Sequence, residues 1–110
     1  MPQQAISTRI AQIYKTTYGR GPTKITAYLL PDLVTVLVED LNIPAQSTLV
    51  DLGDHDLVEA GHRRLHQVMA PEMSLAIEEI LSRRVRGCVS GFNAVLDAAT
   101  NCFPLEPEEG

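Results

Sequence analysis

The chain has 110 residues, 45% of them hydrophobic and 21% charged, and carries a formal net charge of −5 at neutral pH. That length and balance fit one globular core and exclude wholesale disorder, while the acidic sign argues against nucleic acid as a principal partner, because phosphate binding needs a basic field. No apolar run approaches the roughly 20 residues that span a bilayer, and the N-terminus lacks a signal-peptide core, so the expectation is a cytoplasmic chain with no direct membrane insertion.

From Ala5 to Thr17, Ile6, Ile10, Ile13 and Thr17 recur at helical spacing, with Gln4, Arg9, Gln12 and Lys15 elsewhere on the wheel. The helix should stop near Tyr18, because Gly19 accepts the left-handed conformation after a helix and Gly21-Pro22 cannot prolong one. Two β-prone runs, 24–30 and 33–39, flank the turn formers Pro31 and Asp32 and predict a tight antiparallel hairpin. The second run is apolar at nearly every position. It suits a central strand covered on both faces, or one buried at an oligomer interface.

Residues 42–54 stay open among a loop, a short strand and a brief helical turn. From Asp56 a helical period resumes, with Leu57, Val58, Gly61, Leu65, Val68 and Met69 on one side, Glu59, Arg63, Arg64 and Gln67 mostly on the other, and Asp54 or Asp56 as N-cap. Pro71 interrupts it, yet Met73, Ala76, Ile77, Ile80 and Leu81 keep the period, so a kinked helix or two successive helices are expected. A third strand is expected over 85–92 and a weaker fourth over 100–105, joined by 93–99 as a short helical turn. The order α-β-β-α-α-β-β predicts an α+β fold of two layers, a mainly antiparallel sheet of about four strands with helices on one face. Residues 1–105 should form the domain and 106–110 an acidic disordered tail.

The pattern points to no catalytic residue, cofactor or metal. The serines lack a nucleophile-elbow setting, and Glu78 and Glu79 read as surface carboxylates on a helix. Cys88 and Cys102 read as reduced packing residues. His62 and His66 share a helix face, but Arg63 stands where a zinc protease motif needs Glu, so a solvated face is expected. The candidate binding residues are Arg20, with the loop residues Gly19, Gly21 and Pro22, and the cluster Arg83, Arg84 and Arg86. Two glycines admit close backbone approach, and the guanidinium groups suit an anion or an acidic partner. Two functions follow: a protein-interaction module, expected to be a homodimer, or a small-ligand or anion sensor in which the Gly19–Pro22 loop and the Arg83–Arg86 cluster converge.

The amphipathic helix, then Tyr18-Gly19-Arg20-Gly21-Pro22, then Ile25 to Val34 and a valine-rich strand, with Arg63 to Met69 and Glu78 to Val85 further on, resembles the bacterial YbcI-like, or MpsC, family from about Ile6 to Leu105. The resemblance implies a small cytoplasmic protein associated with a sodium-translocating, membrane-potential-generating system, with a membrane-transport protein as possible partner. The family supplies no catalytic residues to carry over. This sequence departs from the family pattern at Leu41 to Gln46 and at Gly91 to Asp97.

Overall fold

A computed structural model describes residues 1–108. The elements run α1 (Pro2–Tyr18), β1 (Lys24–Leu30), β2 (Leu33–Glu39), α2 (Pro44–Asp51), α3 (His55–Leu81), β3 (Val89–Asn93) and β4 (Ala98–Pro104). This is the α+β order that the sequence predicts. Pro2 at the start of α1 has no N–H to leave unbonded. At the other end Gly19 takes φ 82°, and its N–H donates to Lys15 O at 2.9 Å, which stops the helix where expected.

The four strands form one antiparallel sheet in the order β1-β2-β4-β3. The first hairpin pairs Lys24 with Glu39 at one end and Leu30 with Leu33 at the other. β4 lies on the far side of β2, with Val34 opposite Phe103 and Val38 opposite Ala99. Side chains alternate across a strand, so Ala27, Val34, Val36, Val38, Ala99, Asn101 and Phe103 all face one way and are buried. Onto this face α1 lays Ile6, Ile10 and Tyr14, and α3 lays Met69, Met73 and Ile77. The core is this single apolar layer between sheet and helices.

Two open readings are resolved and two local expectations change. Residues 42–54 contain α2, started by Pro44 and by Gln46, whose Oε1 accepts the Ile43 N–H at 2.9 Å. The segment 55–81 is one uninterrupted helix through Pro71. Pro71 is exposed, and the buried Met69, Met73, Ala76 and Ile77 around it hold both halves on the core. The third strand begins at Val89 instead of Val85, which makes an isolated bridge to Leu105. Residues 93–99 form a hairpin turn instead of a helical one: Asn93 Oδ1 accepts the Leu96 N–H at 2.8 Å, and Asp97 at φ 55° returns the chain into β4. Glu106, the first residue of the expected tail, donates its N–H to Arg84 O at 2.9 Å. Glu109 and Gly110 lie outside the described residues.

Candidate functional site

Between α3, the edge strand β3 and the C-terminal end of α1 lies a cavity of about 290 Å³. Along its wall four rings form a ladder. Tyr14 stacks on Tyr18 at 5.7 Å between centroids, Tyr18 on His62 at 5.0 Å, and His62 meets Phe92 at 3.6 Å. His62 is 5% exposed. Its Nε2 lies 3.4 Å from Asn42 Oδ1, and its Nδ1 bonds the Tyr18 hydroxyl. The Asn42 amide nitrogen donates elsewhere, to Ala94 O at 3.2 Å, so its oxygen accepts and the imidazole carries its proton on Nε2. Nδ1 then accepts from Tyr18. Burial pulls the His62 pKa down to about 4 against the opposing charge of Glu59, so the ring is neutral at pH 7.

Deeper in the cavity stands Asn101, fully buried on the inner face of β4. Its Nδ2 donates to the Tyr14 hydroxyl at 2.9 Å, and its Oδ1 accepts the Cys88 thiol at 4.0 Å and lies beside His66. Cys88 Sγ sits 3.4 Å from His66 Nε2. Burial pushes the Cys88 thiol up to about 11 and lowers the His66 pKa. The pair is therefore a neutral thiol beside a neutral imidazole, not the thiolate and imidazolium that nucleophilic catalysis uses. Ser90 pairs with Asn101 and points inward with it, yet Ser90 is exposed, because the cavity opens above it.

The candidate arginines do not converge. Arg20 donates to Asn42 O at 2.8 Å and pairs with Asp40 at 3.3 Å. Asp40, at φ 61°, also accepts the Thr23 hydroxyl, and the hydroxyl and the guanidinium together hold its carboxyl below the usual range. Arg83 reaches Pro31 O at 2.5 Å, Asp32 Oδ1 at 2.8 Å and Glu106 O at 2.6 Å, at the other end of the hairpin. The two ends are six strand residues apart, about 20 Å at the usual rise. Gly19 caps α1, Gly21 and Pro22 lead into β1, and Arg84 and Arg86 are exposed near the Arg83 end. Arg20 and Arg83 each clamp a chain reversal, which explains them without a ligand.

The histidine reading also changes, since His62 is buried and His66 half-buried instead of solvated. Their neighbours Arg63, Arg64 and Gln67 disguise the face, which turns toward β3. His55, Asp56 and Glu59 bring ligand-type atoms within 4.8 Å of one another at the start of α3, but Glu59 already accepts the Ala94 N–H at 2.9 Å. Tyr14, Tyr18, Phe92 and Asn101 escaped the sequence reading. The one available signal was Asn101, a polar residue at an inward step of the alternation Ala99, Asn101, Phe103.

The family model of the Na+-translocating membrane potential-generating system (MpsC) matches residues 1–106. The chain belongs to the MpsC family. No curated protein and no solved structure matches it. Among the described residues of this MpsC chain no helix is long and apolar enough to cross a membrane.

The outer face of the sheet is the second candidate. No described element packs on it, although it carries Leu33, Thr35 and Leu37 from β2 and Thr100, Cys102 and Pro104 from β4. Beside them Tyr28 is 52%, Leu30 56% and Val89 65% exposed. Its charges are Lys24 and Glu39, which pair with each other at 3.9 Å at one end.

Proposed function

We propose that this member of the MpsC family is a non-catalytic accessory module that works as a homodimer in the cytoplasm, beside a Na+-translocating membrane system. The observation that carries the reading is the open outer face of the sheet, on which the charges Lys24 and Glu39 pair with each other at one end. A chain of net charge −5 repels its copy through most of its surface, whereas this face meets a second copy without opposing like charges. Depletion of charge and enrichment in apolar and aromatic side chains mark the centre of a protein interface. Two sheets stacked about 10 Å apart through a two-fold axis bury the same patch on both copies. The outer stripe of α3, with exposed Leu57, Val68 and Leu75, is the weaker self-interface, because Arg64 and Pro71 interrupt it. It is left free for a membrane-transport partner.

The neutral state of Cys88, His62 and His66 supports the non-catalytic part of the reading. Light scattering on the purified chain across a tenfold dilution is the test. Wild type is expected to stay dimeric, and Leu37→Asp to become monomeric with an unchanged circular-dichroism spectrum. A monomeric wild type at every concentration sinks the dimer.

A further inference from the structure

The cavity beside His62 lies on the helix side of the sheet, away from the proposed dimer face, and has a chemistry of its own. Its walls are mainly aromatic and apolar, with Tyr14, Tyr18, Phe92, Met69 and Ala99 contributing. At about 290 Å³ it sits at the lower end of the range of small-molecule sites. A ring that covers the aromatic and apolar part of the wall displaces water from it and gains from that water's release. The opening exists because β3 places Ser90 and Gly91, two small residues, where α3 passes, and Ser90 stays exposed at an inward-facing position.

Two features narrow the occupant. Asn101 is fully buried, donates to Tyr14, and receives at Oδ1 a long contact from the Cys88 thiol at 4.0 Å, with His66 beside it. A buried carbonyl oxygen in that state favours a ligand that brings an N–H. The charged lining groups, Glu59 and Arg63, are opposite in sign, so a ligand charge of either sign finds no net complement inside apolar walls and would lose its hydration.

We propose that this cavity binds a small, uncharged, planar heteroaromatic molecule, its ring packed among Tyr14, Tyr18 and Phe92 and an edge N–H donated to Asn101 Oδ1. His66 and Ser90 line the same opening and offer further polar contacts to the ring edge. Exposed Ser90 is the position at which the site can be blocked with least effect on the fold.

The test is amide-resolved NMR on the full chain, titrated separately with adenine, nicotinamide and indole to millimolar concentration, and with toluene as a ring that has no N–H. At least one of the three heteroaromatics is expected to produce saturable shifts at Ser90, Phe92 and Asn101. Toluene should bind at least tenfold more weakly than that ligand, and Ser90→Phe should weaken its binding at least tenfold. Absence of saturable shifts with all three overturns the proposal. Toluene binding as tightly removes the Asn101 hydrogen bond from it, and equal binding by folded Ser90→Phe moves the site elsewhere. The wild-type titrations decide the matter even where the variant melts early.

Discussion

His62 is held between Tyr18 and Phe92 with both ring nitrogens engaged, and its folded pKa of about 4 lies below the ordinary 6.5. The unfolded chain therefore takes up the proton first. The contribution to stability is complete above about pH 6.5 and is lost as pH falls toward 4, amounting to about 2 kcal/mol between pH 7 and pH 5. Urea denaturation at the two pH values should show that loss in wild type. His62→Phe, which keeps an aromatic ring in the ladder, should remove most of it; an unchanged slope in the variant would place the titration on other groups. Cys88 and Cys102 differ in setting too, since Cys88 packs against His66 on the helix side of the sheet while Cys102 belongs to the outer face. In the dimer Cys102 should resist iodoacetamide, and in Leu37→Asp it should be alkylated several-fold faster, as read by mass spectrometry.

At the scale of elements, α3 shows local propensity yielding to packing. Pro71 removes a backbone donor and crowds the preceding turn, an effect of about 3 kcal/mol in a helix interior. The helix nevertheless runs unbroken from His55 to Leu81, because the buried positions on both sides of Pro71 keep one face on the core. Pro71→Ala should raise the unfolding free energy by roughly 1–3 kcal/mol, since it restores the donor at an exposed site. A neutral or destabilising result in a melt would show that the proline ring makes a contact worth keeping. Gly19 presents the opposite case, a local rule that tertiary context respects. Its φ of 82° suits glycine, nothing lies within 4 Å of an added Cβ, and Gly19→Ala should cost about 1 kcal/mol through backbone conformation alone.

The whole molecule measures 53 × 21 × 20 Å. The 27 residues of α3 extend about 40 Å, against about 23 Å for a seven-residue strand, so the helix overruns the sheet it covers. One face of the sheet is buried under helices, and no described element covers the other. A dimer through that second face buries mainly apolar and uncharged groups, so raising salt from low to about 1 M should leave its dissociation constant unchanged or tighter. Weakening by tenfold or more would move the interface to a charged surface.

The two periods in this chain, 3.6 and 2, determined by themselves the element order and the first hairpin, because each depends on neighbours in sequence. By contrast β2, apolar at nearly every position, did not show that Val34, Val36 and Val38 are its inward row. The end of α1 was legible as well, because Gly19 marks it, whereas Pro44 and Gly53 did not by themselves reveal the short α2 between them. The limits of β3 and the turn before β4 were not legible, because Asp97 accepts the N–H groups of Leu41 at 2.8 Å and Asn42 at 3.0 Å across the fold. The cavity was legible least of all: Tyr14, His62 and Asn101 come from three elements, and each alone reads as an ordinary helix or strand residue. The same separation misled the arginine reading, since spacing along the chain does not show that Arg20 and Arg83 stand at opposite ends of a hairpin. Periodicity reports which face of an element is buried; only the tertiary structure decides which side chains meet there, because hydrogen bonds and ring contacts form between residues that the sequence holds far apart.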